Sequence, residues 1–178
     1  MGVFERAFRR AELPVRMTEG FNPHPKFSLS SPLSLGIEGL NEILELELTQ
    51  EIPPDDAARK LQCEMPQGIT VLRAERLDSP LKAMVDSVTY RFYGEFEPAA
   101  LENPNAVFKP ERNGRVFDVM PYVRRMEKVE DGIEVEVVVT NAGTAKPAEL
   151  ALAFCGGDAE KARRLTLVRT SVNLSNPA

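Results

Sequence analysis

The sequence predicts an α+β protein, because runs of two-residue apolar alternation and runs of helical spacing take turns along the whole chain. One comparison sharpens this. Ile43 to Thr49, Pro54, a helix reaching Cys63 and a strand over 69–77 are echoed by Ile133 to Thr140, Pro147, a helix reaching Cys155 and a strand over 165–174. The echo predicts two tandem β-α-β-β-α-β halves, the ferredoxin-like arrangement, over residues 1–80 and 86–178. With 178 residues and 43% apolar side chains, each half can bury a small core.

Each element has a local reason. Val3, Phe4, Ala7, Phe8 and Ala11 share one helical face, opposite Arg6, Arg9 and Arg10, so residues 2–12 read as an amphipathic helix. Pro14 stops it, since the residue before a proline is pushed out of the α region. Gly20, Pro23, Pro25, Pro32 and Gly36 then punctuate a shaped loop up to Gly39. Leu44, Leu46 and Leu48 alternate with Glu45 and Glu47, which makes a strand with the leucines inward; Leu46→Ala is the costly change and Glu45→Ala the neutral one. Pro53-Pro54-Asp55-Asp56 opens a helix that ends near Pro66-Gln67-Gly68. Ser87 to Phe96 is a strand. Tyr122 to Glu130 and Ile133 to Thr140 form a hairpin around Asp131-Gly132. Pro147 opens a helix that Gly156-Gly157 closes, a helical turn follows at 158–163, and the last strand runs from Leu165 to Leu174.

Composition excludes several chemistries. Cys63 and Cys155 cannot hold a four-thiolate zinc site or an iron–sulfur cluster, and they read as packing residues at helix ends. His24 is the only histidine, so sites needing several imidazoles in one chain are excluded, and no metal or cofactor is expected. There is no Walker loop, no signal peptide and no apolar run of membrane-spanning length. The expected setting is the cytoplasm. The net charge of −5 hides an asymmetry: residues 27–58 carry seven acids and no Lys or Arg, whereas residues 109–128 carry six bases against three acids.

Three segments carry a resemblance: Phe4-Glu5-Arg6-Ala7-Phe8-Arg9-Arg10-Ala11-Glu12-Leu13-Pro14, Glu19-Gly20-Phe21-Asn22-Pro23-His24-Pro25-Lys26, and Pro32-Leu33-Ser34-Leu35-Gly36-Ile37-Glu38-Gly39. With Phe117 to Val123 and Arg169-Thr170, the chain resembles the bacterial radical SAM-linked proteins. The resemblance implies a domain fused to, or encoded beside, a radical SAM protein in settings of RNA maturation. It implies no activity. Members of that family begin with a strand and a Ser-His-Leu-Asp-Leu-like turn before the first helix, whereas Met1 here already adjoins that helix, so the first half is expected to lack its N-terminal strand. A strand-mediated homodimer is the favoured way to fill the gap.

The candidate RNA-binding residues are Arg6, Arg9, Arg10, Phe21, Asn22, His24, Lys26, Arg124 and Arg125. Two prolines restrict the backbone around His24, and a loop offering Asn22, His24 and Lys26 beside an arginine-bearing helix suits a phosphate and an extruded base. Competing structural readings stand beside these. His24 bonds a backbone carbonyl, Phe21 packs in a core, Arg9 and Arg10 complement the helix dipole, and Asp118 caps a turn rather than acting as a catalytic acid. The function expected is an accessory module that binds tRNA or rRNA and presents it to a radical SAM partner, with no independent catalysis. The alternatives are an RNA-acting enzyme of the pseudouridine-synthase or CRISPR-endonuclease type, and a protein-docking module using the acidic strand at Glu45 and Glu47.

Overall fold

The computed structural model describes residues 2–77, 85–97, 102–103, 107–140 and 143–175, and the chain divides into two compact units. One comprises Met1–Leu29 with Leu44–Leu81; the other comprises Ser30–Ile43 with Lys82–Ala178.

In the first unit, helix α1 (Gly2–Arg10) buries Ala7 and Phe8. Its apolar face meets the two-stranded antiparallel sheet of β1 (Phe27–Leu29) and β3 (Leu44–Leu46), together with helix α2 (Pro54–Glu64). Phe8 sits edge-on to Phe27 at 5.1 Å and beside Phe4 at 6.3 Å, the geometries aromatic rings favour. Leu44 and Leu46 pack on this cluster, so the leucines of the alternating strand do face inward. Pro54 opens α2 at its first turn, where a missing N–H is harmless.

The expected strand over 69–77 is not formed. Ile69, Val71 and Ala74 are half-buried among exposed neighbours, a spacing of two and then three that breaks period two after Val71, and no ladder joins this segment to any strand among the described residues. It is tied down otherwise: the Val71 N–H donates to Gln62 Oε1 at 2.6 Å, and Arg76 pairs with Glu51 at 2.5 Å.

In the second unit, β2 (Glu38–Gly39), β4 (Val85–Tyr93), β7 (Val123–Val129), β8 (Gly132–Val138) and β9 (Thr166–Leu174) form a five-stranded mixed sheet, ordered β2-β9-β4-β8-β7. β2 joins β9 in parallel; the other neighbours are antiparallel. Val88, Tyr90 and Phe92 of β4 and Ile133, Val135 and Val137 of β8 line one face, which is the period-two expectation realised. Helix α3 (Pro147–Phe154) covers that face with Leu150, Ala153 and Phe154, and Phe92 meets Phe154 edge-on at 5.5 Å. Gly156 takes a left-handed φ of 63° just after α3, as a helix end requires. Asp158 then caps helix α4 (Ala159–Arg164), accepting from the Glu160 and Lys161 N–H groups.

One buried charge organises this unit. Arg169 of β9 is fully buried, and its guanidinium forks onto Glu42, with Nε donating to Oε1 at 2.7 Å. It also donates to the Ser31 carbonyl at 2.8 Å and to Ser31 Oγ and the Pro32 carbonyl at 3.3 Å. Burial alone would lower the Arg169 pKa; the Glu42 carboxylate, with the Tyr90 hydroxyl, more than reverses that and raises it. The segment from Ser31 to Glu42 is thus held to the sheet that β2 extends.

Candidate nucleic-acid interface

In the first unit, Arg6, Arg9 and Arg10 stand at i, i+3 and i+4 on α1, adjacent on its exposed face. None of the three forms an ion pair among the described residues, although all lie on the solvent side of a helix whose other side is core. Arg9 and Arg10 in the last turn also complement the helix dipole. Both expectations for these side chains are compatible with the geometry.

Residues 16–26 form a small hairpin. The Lys26 N–H donates to the Arg16 carbonyl at 2.7 Å, Met17 bridges Pro25, and the Thr18 N–H donates to the His24 carbonyl at 2.8 Å. Gly20 turns the tip with a φ of 124°, and Phe21 stands there fully exposed. The reading of Phe21 as core is therefore corrected: its apolar character belongs to a surface ring, because the turn carries it away from the cluster around Phe8. His24 pins the hairpin, as the structural reading expected. Its Nδ1 lies 3.2 Å from both the Asn22 carbonyl and Thr18 Oγ1, and its own N–H donates to that hydroxyl at 3.1 Å. Asn22 is exposed beside Phe21 and supplies that carbonyl.

Lys26 is not a free cation. It and Arg16 flank Glu47, both in ion-pair contact, and these hydrogen bonds hold the Glu47 carboxyl below its ordinary value. Arg124 and Arg125 in the second unit are likewise engaged. Arg124 pairs with Asp86 at 2.5 Å and Glu136 at 3.0 Å, and Arg125 with Glu127 at 2.5 Å, on the sheet face opposite α3. Of the nine candidates, only the three arginines of α1 are cations without an acidic partner among the described residues.

Sequence reasoning missed a second construction. Strands β5 (Glu111–Arg112) and β6 (Arg115–Val116) form a two-residue-per-strand hairpin. Arg112 forks onto Glu149, with Nε at 2.7 Å from Oε1, and lies 3.5 Å over the ring of Phe117, which stacks on Tyr122 at 5.4 Å. An open concavity of about 490 Å³ is lined there by Arg112, Asn113, Arg115, Val116 and Phe117. Glu149 also accepts from the Lys146 N–H at 2.8 Å, so this carboxylate both caps the N-terminus of α3 and neutralises Arg112. Glu three residues after the cap was a legible signal for the first role; nothing local announces the second.

Asp118 accepts from Lys109 Nζ at 2.6 Å and from the Met120 N–H at 3.0 Å. It therefore caps the 3₁₀ turn Met120–Tyr122, and the Lys109 hydrogen bond keeps it below its ordinary pKa. No group of three or more His, Cys, Asp or Glu arranged for a metal occurs among the described residues. Cys155 is buried, and that burial raises its thiol pKa; Cys63, expected to be packed, is exposed.

The lowered carboxylates set an acid response. Asp118 is held by Lys109, Asp158 by the Lys161 and Glu160 amides, and Glu149 by Arg112 against the opposing effect of burial. A carboxylate lowered in the folded state contributes stability that is present above its unfolded pKa, about 4, and lost as pH falls through the lower folded value. The urea midpoint is expected to hold between about pH 7 and 5 and to fall below about pH 4. A midpoint that rises on acidification contradicts these pairings.

The pattern of an uncharacterised protein family conserved in bacteria (DUF2344) matches residues 1–147. The chain belongs to that family. The matched span of the DUF2344 pattern covers α1, the hairpin at 16–26 and the Arg112–Phe117 construction, and ends at Pro147, where α3 begins. No curated protein matches the chain. Among the described residues no helix is long and apolar enough to cross a membrane.

Proposed function

We propose that this DUF2344 chain is an RNA-binding accessory module that acts in the cytoplasm with a radical SAM protein. One observation carries the RNA reading: Arg6, Arg9 and Arg10 form a cationic face on α1 that no acid of the described chain neutralises, while most other arginines are paired. Unpaired, adjacent guanidiniums suit phosphates, since each contact releases a condensed counterion. The exposed ring of Phe21, on a hairpin stiffened by His24 and Thr18, suits stacking of an unpaired base. The radical SAM partner rests on the resemblance described above.

The order β9-β4-β8-β7, all antiparallel, with α3 and α4 between β8 and β9, supports a ferredoxin-like second half. Such sheets serve many functions, so the site and not the fold carries the RNA argument.

Gel shifts with tRNA and rRNA fragments across a salt series test it. Arg6→Ala with Arg10→Ala is expected to weaken binding and to reduce the slope of log affinity against log salt by roughly 1.4–1.8, at about 0.7–0.9 per contact. Both side chains are exposed, so stability should stay within about 0.5 kcal/mol. Unchanged affinity removes the RNA reading of this face.

A further inference from the structure

The hairpin of β5 and β6 sets two arginines side by side, and the fold answers only one of them. Arg112 and Arg115 are directly opposite each other in its ladder, so both project from one face. Like charges in that position destabilise a hairpin. Glu149 answers Arg112, whereas Arg115 has no acid partner among the described residues, which leaves one positive charge uncompensated. The turn between them is fixed: Asn113 and Gly114 take left-handed φ values of 55° and 72°, the pair that a two-residue type I′ turn requires.

The Arg112 guanidinium is used on one edge and one face only. Its Nε and Nη2 meet Glu149, and Nη2 also donates to the Thr144 carbonyl at 2.8 Å. One face lies 3.5 Å over the Phe117 ring, which rests in turn on Tyr122. Nη1 carries two N–H donors and has no partner among the described residues, and 23% of the side chain is exposed. Arg112 therefore offers the adjoining concavity of about 490 Å³ a charged donor edge and a flat cationic face, both held in place by the fork on Glu149. Arg115 lines the same concavity. So does Asn113, whose side-chain amide has no partner among the described residues and offers both donors and an acceptor.

We propose that this concavity binds one nucleotide, with the phosphate between Arg112 Nη1 and Arg115 and the base stacked on the Arg112 guanidinium with an edge toward Asn113. Each part of the ligand answers a group that the fold leaves unused. The phosphate offsets the charge left by the facing arginines, and a flat heterocycle adds a layer to the stack of Tyr122, Phe117 and Arg112. The base edge supplies the donor and acceptor that the Asn113 amide lacks. A simple anion satisfies the arginines but leaves the stack and the amide oxygen unused. The volume falls within the roughly 300–1,000 Å³ of small-ligand sites. A free nucleoside monophosphate and a nucleotide of an RNA strand present the same chemistry. The site lies in the second unit and uses no residue of α1, so it goes beyond the reading above and stands or falls separately.

NMR titration of the full chain, followed at the Gly114 amide and the Arg112 and Arg115 Nε–H groups, tests this. The probes are adenosine 5′-monophosphate, adenosine, inorganic phosphate and a short oligoadenylate. Adenosine monophosphate is expected to bind about tenfold or more tighter than either adenosine or phosphate, because losing one part forfeits a charged hydrogen bond or a stack. Arg115→Gln should erase the advantage over adenosine. Asn113→Gly, which keeps the left-handed turn, should reduce the advantage over phosphate. Arg6→Ala with Arg10→Ala should change none of these affinities, which separates this site from the face of α1. Oligoadenylate binding that Arg115→Gln weakens equally assigns the nucleotide to RNA, and oligoadenylate that leaves these signals unmoved assigns it to a free nucleotide. Phosphate that binds as tightly as the nucleotide reduces the concavity to an anion patch and overturns the proposal. So does the absence of shifts with every probe, or undiminished nucleotide binding by Arg115→Gln.

Discussion

Arg169→Met is expected to cost about 3–5 kcal/mol in urea denaturation, the range for removing one partner of a buried ion pair. The substitution keeps much of the side-chain volume but removes the guanidinium that meets Glu42, Ser31 and Pro32. Glu42 then keeps its charge with only 27% of its side chain exposed, and the Ser31 and Pro32 carbonyls lose their donor. Adding Glu42→Leu should recover a substantial part of the loss, because the stranded charge is the larger share of the penalty. Arg169→Lys keeps the charge but not the fork, and it should fall between the wild type and Arg169→Met. A loss under about 1 kcal/mol for Arg169→Met shows that the pair is not what holds Ser31 to Glu42 on the sheet.

That residue also marks where sequence reading stops. The alternation of β9 identifies a strand, yet it gives no reason for an arginine on a buried position. The reason is Glu42, 127 residues earlier, which no local pattern connects to it. The same holds for Glu47. Its solvent-facing side was legible from period two, but its two cations come from the ends of a hairpin whose pairing had to be seen. Helices α1, α2, α3 and α4, strands β4 and β9 and the β7–β8 hairpin were legible because each is specified by its own spacing, caps or turn residues. The 69–77 segment shows the converse. A strand needs a neighbour to pair with, and that is not written in the segment itself.

The candidate site divides in the same way. The arginine face of α1 follows from helical geometry alone and stands where the spacing puts it. Phe21 is both a candidate base-stacking residue and a candidate core residue by sequence; burial is the average for phenylalanine, and a glycine-turned hairpin tip overrides it. Lys26, Arg124 and Arg125 have the right chemistry for phosphate but are engaged by Glu47, Asp86, Glu136 and Glu127. Charge type is readable from sequence; whether a charge is already answered is a property of the fold.

Gly132→Ala should be nearly as damaging as the loss of Arg169, at about 3 kcal/mol or more, and for a reason the turn signal Asp131-Gly132 did not suggest. That dipeptide points to a glycine chosen for positive φ, but Gly132 is absent from the residues with that conformation. The two-residue turn is Glu130-Asp131, and Gly132 is the first residue of β8, opposite Val129 on one side and Tyr93 on the other. A Cβ there would come within 1.9 Å of the Phe92 carbonyl oxygen, which is backbone at the centre of the sheet and cannot swing aside. Relief requires β4 and β8 to separate where Phe92 and Ile133 are both fully buried. Gly114→Ala supplies the contrast. Gly114 has a φ of 72° and nothing within 4 Å of the added Cβ, so only the left-handed backbone penalty applies, about 1 kcal/mol. Urea melts of the two variants distinguish close approach from backbone conformation. A Gly132→Ala loss no larger than that of Gly114→Ala means that β4 and β8 do not lie as closely as this register sets them.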